Sequence, residues 1–296
     1  MRIQIDPELC QACGICGEVC PRHIPETTTV DGRKTTAISA QRAELCMGCG
    51  HCVALCPHNA ISLDGQVASD YTPANKLNLA EGQLLTLMRQ RRSLRRYQKK
   101  AVPRETIDRL LQAASCAPTA TGSSNTGVIV IDNPQILSRF SDLAFKMYTE
   151  LEAALRNPIA RVFVTKSAGK KQVHSLQEFV MPGMRWYMRW YREGKGNEIL
   201  RDCPALMLFH SPINETAGLQ NCLIAALQAI FMAETLDIGT CLNDLIPPAC
   251  NRVAEIRALL GLPADREVYA SLTLGYPKYH FKRIPPRQFV ETRYLD

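Results

Sequence analysis

The chain has 296 residues, 46% of them hydrophobic and 21% charged, with a formal net charge of +7. That length predicts two domains, or one with an appendage, and the balance excludes a disordered chain. The longest apolar stretch, Cys222 to Ala233, is too short to span a bilayer, and Met1 to Asp6 has no apolar signal core, so a cytoplasmic protein with no membrane partner is expected.

Divided along the chain, the charge becomes informative. Residues 1–65 hold five Lys/Arg against seven Asp/Glu, and the remainder holds 30 against 21. Much of the excess falls in one window, Arg89 to Arg104, with eight basic residues and no acid. A solvated face mixes signs, so this run points to phosphate or an acidic partner. No aromatic-rich or helix-turn-helix pattern accompanies it, and no nucleic-acid partner is expected.

Eight of the thirteen cysteines lie in two short runs: Cys10, Cys13, Cys16, Cys20 and then Cys46, Cys49, Cys52, Cys56. Both read Cys-x2-Cys-x2-Cys-x3-Cys-Pro. In a chain that is not secreted, such runs are metal ligands rather than disulfides. Three thiolates two residues apart on a tight loop reach three corners of one iron–sulfur cube, and Gly14, Gly17, Gly48 and Gly50 let the backbone curl. The proline turns the chain away, so the fourth cysteine serves the other cluster. Cys10, Cys13, Cys16 and Cys56 then hold one 4Fe–4S cluster, and Cys46, Cys49, Cys52 and Cys20 the second. Zinc is the rival metal, but two interleaved runs of this form are not a common zinc spacing. His51 and His58 flank ligands whose sites are already complete. The segment resembles the bacterial two-cluster ferredoxins over residues 1–65. A two-cluster module is an electron wire; clusters kept only for folding are the alternative.

Thr27 to Gly32 reads as a strand and hairpin turn. Residues 66–80 are polar and turn-rich, a linker between a domain at 1–65 and one at 81–296. From Glu81 the pattern is helical, with Leu84, Leu85 and Met88 on one face. Pro103 opens a second helix through Ala114, and a strand follows at Val128 to Ile131. Residues 205–209 form an apolar strand, 217–236 a buried helix, and 268–274 a further strand. The five single cysteines (Cys116, Cys203, Cys222, Cys241, Cys250) are expected to be small buried hydrophobes. Strands alternating with helices give an α+β or α/β domain, here taken as α+β.

There is no Gly-x-Gly-x-x-Gly, no P-loop and no His-Glu-x-x-His. The pieces that remain resemble the nitroreductase family of flavoproteins: Arg91 to Arg95, the helix running into Ala117-Pro118-Thr119, Ala233 to Cys241, Gly261-Leu262-Pro263, Gly275-Tyr276-Pro277 and Arg283 to Arg287. Their order covers nearly all of residues 81–290, and an N-terminal ferredoxin fusion occurs in one branch of that family.

The resemblance implies an intertwined homodimer with FMN at the interface. It assigns the FMN phosphate to Arg91, Arg92, Ser93 and Arg95, with Arg283 and Arg287 closing from the C-terminal end. Paired guanidiniums and a hydroxyl make charge-assisted bonds to such a phosphate. Pro118, Thr119 and Ala120 would lie along the flavin of the opposite subunit. Where many members carry an Asn-x-Gln this chain has Gly122, Ser123 and Ser124, with Asn125 as the nearest amide. Leu242 and Asn243 stand where a backbone N–H points at the flavin in many members. The variable segment 140–200 holds Trp186, Tyr187 and Trp190, an aromatic stripe that the resemblance turns into a substrate lid. Two oxidised clusters with their thiolates add about −4, and FMN about −2, leaving a holoprotein near neutrality.

The expected function is an oxidoreductase in which the clusters pass electrons to FMN for reduction of a small, flat, electron-poor substrate: a nitroaromatic, quinone or enone. An external low-potential donor, ferredoxin or a reductase, would feed it. The rival is a non-catalytic relay or redox sensor whose flavin is sealed by Trp186 or Trp190.

Overall fold

A computed structural model describes residues 2–30, 32–74, 77–120, 125–286 and 290–295. The expected contacts of Gly122, Ser123, Ser124 and Arg287 therefore lie outside the described residues. The chain divides into two compact units, one built on residues 1–78 and the other on residues 79–118 and 125–296. No helix is long and apolar enough to cross a membrane among the described residues.

In the first unit, β1 (Ile3–Ile5) pairs antiparallel with β4 (Ile61–Leu63), Ile3 opposite Leu63. The hairpin of β2 (Glu26–Val30) and β3 (Arg33–Ala37) stands where the threonine run predicts it. Short helices α1 (Ile15–Glu18), α2 (Ala40–Ala43) and α3 (His51–Leu55) complete the unit. Its core is small, with Ile3, Ile24, Val53, Ile61 and Leu63 packed around Cys16 and Cys52. Ala68 and Tyr71, in the segment read as a linker, pack against this core.

The second unit is a three-layer α+β sandwich. Its sheet has the order β5-β6-β8-β7, all antiparallel: β5 (Gly127–Ile131), β6 (Ala205–Pro212), β8 (Arg266–Gly275) and β7 (Gly239–Leu242). Side chains on successive strand residues point to opposite faces, and both faces of β6 are buried. Ala205, Met207 and Phe209 pack with α5 (Arg104–Ser115) and α10 (Gly218–Thr235). Leu206 and Leu208 face the other helical layer.

That layer begins with α6 (Pro134–Arg156), capped by Asn133, whose side chain accepts from the Gln135 and Ile136 amides at 2.8 and 3.2 Å. Asn157-Pro158 ends α6 and starts α7 (Pro158–Ala168), with the same side-chain cap. Then come α8 (Lys170–Ser175), one π-helical turn (Leu176–Val180) and α9 (Met181–Arg192). Pro182 lacks the N–H that a regular turn would use, and the wide turn stands just before it. Helices α11 (Pro247–Arg252) and α12 (Ala254–Leu260) close the layer.

One expectation needs correction. Cys203, Cys222, Cys241 and Cys250 are buried, but Cys116 is exposed, because it caps the end of α5, where its thiol reaches the Gln112 carbonyl at 3.4 Å. The packed face of α9 is not its aromatic stripe: Met181, Met184 and Met188 are buried, whereas Trp186 is 61% exposed. Helix α4 (Glu81–Gln90) forms as predicted, yet Leu84, Leu85 and Met88 face outward in the protomer.

Candidate functional site

The first unit contains two cavities of nearly equal size. One is lined by Cys10, Cys13, Cys16 and Cys56. The other is lined by Cys20, Cys46, Cys49 and Cys52. Each run thus sends its fourth cysteine to the other run's cavity. The local backbone is repeated as well. Gly14 and Gly50, at φ 83° and 72°, cap α1 and α3 in the left-handed region, which places Cys16 and Cys52 on the first turn of each helix. At the fourth cysteines, the Ile24 amide donates to Cys20 Sγ at 3.4 Å and the Ala60 amide to Cys56 Sγ at 3.3 Å.

Such N–H donors stabilise sulfur that carries negative charge. Burial works the other way: it is the main cause that pushes the Cys52 thiol up to about 11. Thiolate there requires the positive charge of bound iron. Among the described residues no three His, Cys, Asp or Glu side chains gather as ligands of a single ion. Each cavity is lined by four cysteines, the ligand set that a 4Fe–4S cube takes.

In the second unit the arginine run is laid against the sheet. Ser93 bridges Thr240 in parallel, and the Leu94 amide donates to the Thr240 carbonyl at 2.8 Å. Tyr97 is the anchor. It is buried, and its hydroxyl meets the Leu94 and Thr273 carbonyls at 2.9 and 3.0 Å. The Gln98 amide then donates to the Tyr276 carbonyl at 2.9 Å.

This lay fixes Arg92 beside a cavity of about 230 Å³, lined also by Leu94, Glu234, Gly239, Tyr279 and Phe281. Arg92 Nη1 donates to the carbonyls of Arg89 at 2.7 Å and Arg91 at 2.6 Å. Its Nε and Nη2 are buried with no hydrogen-bond partner. Unpaired buried donors on a cation are costly, and an anion in the cavity would satisfy them. Burial raises the Glu234 carboxyl above its usual range, against the pull of Arg91 and Arg92.

Among the described residues, the other sequence-predicted ones do not line this cavity. Ser93 is half-buried; Arg95 and Arg283 are exposed. Pro118 and Ala120 are exposed and Thr119 half-buried, just past α5. Asn125 donates its side-chain N–H to Glu215 at 3.0 Å. Leu242 is partly exposed at the end of β7. Asn243 is spent within the fold: its amide donates to the Ser271 carbonyl at 3.1 Å, and its side chain donates to the Ile199 carbonyl at 2.6 Å and accepts from the Leu245 amide at 3.1 Å.

Trp186, Tyr187 and Trp190 line a recess of about 240 Å³ together with Arg96 and Glu198. Arg96 and Glu198 form an ion pair at 2.6 Å, and Arg201 takes the other carboxylate oxygen. The guanidinium of Arg201 lies 5.3 Å from the centre of the Tyr187 ring. Sequence reading missed Arg96 and Glu198, because an ion pair spanning 102 positions leaves no local signal.

Residues 88–276 match the nitroreductase family, and residues 2–68 match the 4Fe-4S dicluster domain. An NADH dehydrogenase of Thermus thermophilus is 27% identical over 203 residues, covering 68% of this chain and 91% of that protein. A nitroreductase with bound FMN from Bacteroides fragilis superposes with a TM-score of 0.54 at 18% identity, over 72% of this chain and 99% of that one. Another with bound FMN, from Desulfitobacterium hafniense, gives 0.52 at 16% identity, over 72% and 97%. These structural likenesses establish the fold, and the family match spans well over half of the sequence. The chain belongs to the nitroreductase family of oxidoreductases and carries a 4Fe–4S dicluster domain ahead of its flavoprotein-type fold.

Proposed function

We propose that this protein is an FMN-dependent oxidoreductase whose two 4Fe–4S clusters deliver electrons to FMN for reduction of a small, electron-poor substrate. The observation that carries the reading is the pair of exchanged four-cysteine cavities in a chain of nitroreductase fold. FMN, when bound, supplies hydride-type chemistry, and two one-electron carriers match the electron pair that it needs. The protein's part is to hold and orient.

Arg92 is the main phosphate ligand in this reading, since its buried Nε and Nη2 lack partners. Arg91, Ser93 and Arg95 flank it, and Arg283 and Arg287 come from the C-terminal stretch. The rise of the Glu234 carboxyl lessens its repulsion of a phosphate beside Arg92. Nitroaromatics, quinones and enones fit the substrate class. The exposure of Trp186 at an open recess supports an enzyme rather than a sealed relay. The outward apolar face of α4 supports a homodimer, in which Leu84, Leu85 and Met88 would be covered.

The Thermus relative is named for NADH, so the donor decides the route. The test is turnover of anaerobically prepared holoprotein with reduced ferredoxin or with NAD(P)H, in the wild type and in Cys13→Ser and Cys49→Ser variants. Ferredoxin-driven turnover that disappears in the variants while FMN is retained supports the wire. Variants that keep the full best rate with NAD(P)H would sink it.

A further inference from the structure

We propose that the recess of Arg96, Trp186, Tyr187 and Trp190 binds a planar aromatic carboxylate, its ring against the aromatic wall and its carboxylate on the Arg96 guanidinium. The inventory of polar groups carries the choice. The two indoles offer only N–H donors, a guanidinium has five donors and no acceptor, and the Tyr187 hydroxyl can donate or accept. Arg96 uses Nη2 on Glu198 at 2.6 Å and Nη1 on the Arg95 carbonyl at 2.9 Å, which leaves further N–H groups on a half-exposed head.

Among the described residues Glu198 is the one carboxylate lining the recess, and it is already engaged. It is 6% exposed, and its two oxygens are taken by Arg96 and Arg201. Asp202, whose charge also reaches Arg96, accepts from the Asn197 amide. Donors dominate the groups left free, so a ligand with acceptors fits best, and charge-assisted bonds favour a carboxylate over a neutral carbonyl. A volume of about 240 Å³, below the usual range of drug-sized sites, suits a single ring. Electron-rich indoles suit an electron-poor ring by offset stacking. The binding claim rests on the recess alone. That the bound ring is the molecule reduced rests on the function proposed above.

The chain has two tryptophans, and both line this recess, so intrinsic fluorescence reports on it directly. Oxidised holoprotein is titrated with benzoate and with its neutral isostere benzamide, by fluorescence and by calorimetry. Benzoate is expected to bind about tenfold or more tightly than benzamide. Arg96→Gln should abolish that preference, and Trp190→Leu should weaken both ligands. The wild-type ratio needs no variant, so the proposal stays testable if Arg96→Gln does not fold. Equal affinities, no binding, or a folded Arg96→Gln that keeps the preference each overturn it. Competition by benzoate against 4-nitrobenzoate turnover, which raises KM and leaves kcat unchanged, supports the substrate assignment. Binding without competition overturns that assignment and leaves the binding site standing.

Discussion

Gly239 and Leu94 are in such close approach that a Cβ at residue 239 would stand 2.1 Å from Leu94 Cδ2. The arginine run docks on β7 because residue 239 has no side chain. The contact is one of space rather than of backbone conformation, so a single methyl group should act as a wedge.

Gly239→Ala is expected to destabilise the second unit by about 1–3 kcal/mol, as overpacking does, and to lower flavin retention with it. Thermal unfolding and the flavin-to-protein ratio read both effects. Pairing it with Leu94→Ala should recover part of each loss, because the second change removes the atoms in conflict.

Arg92→Ala should weaken FMN binding by roughly 10- to 100-fold, the cost of deleting one charged partner of a phosphate. Iron and sulfide content should not change. Arg95 is exposed, so Arg95→Ala is expected to cost less. FMN titration of the apoprotein measures the difference. Equal affinity in the wild type and Arg92→Ala would move the phosphate away from the cavity.

The cluster unit was legible because its chemistry is written at short range. Each ligand is two or three residues from the next, and only the exchange of Cys20 and Cys56 needs the third dimension. The hairpin at Thr27–Gly32 and the helix after Pro103 were legible for the same reason: turn and cap residues act on their neighbours. Strand β7 was not read, because Gly239–Leu242 is four residues long and its partners are Leu94 and Thr273, far away in sequence. The side-chain choice on α9 was also hidden. Its methionines and its aromatics recur at helical spacing alike, and only the packing against α6 decides which set goes inside. The donors left over on Arg92, finally, are a property of burial, which no spacing encodes.

Anaerobically isolated protein should carry about eight irons and eight acid-labile sulfides per chain. Cys20→Ser should alter the paramagnetic signal of the cluster held by Cys46, Cys49 and Cys52, not that of its own run's first three cysteines. One zinc and no labile sulfide would end the assignment.

His210 titrates against the fold. Its Nδ1 accepts from Arg266 Nε at 2.7 Å, and burial first, then the Arg266 charge, lowers its pKa. A group depressed in this way contributes stability above its unfolded pKa of about 6.5 and loses it as pH falls through the folded value. Thermal stability should therefore decline between neutral and mildly acidic pH, and His210→Gln should flatten that part of the profile. A variant with the wild-type slope would show that other groups set it.

The exchanged cysteines bear on how the protein is matured. Each set of four ligands joins chain from both halves of residues 10–56, so neither centre can be finished by one run alone. The apolar core between them is slight, with Ile3, Ile24, Val53, Ile61 and Leu63 as its main side chains. Small domains with so little to bury draw stability from their metal. Filling the first centre draws Cys20 and Cys56 toward their places and readies the second, so in the wild type the second centre is expected to load more readily than the first. Under iron scarcity the cell would then hold a mixture of fully charged and empty molecules, with few half-charged ones, and the empty ones would be marked for proteolysis by their unfolded N-terminal end.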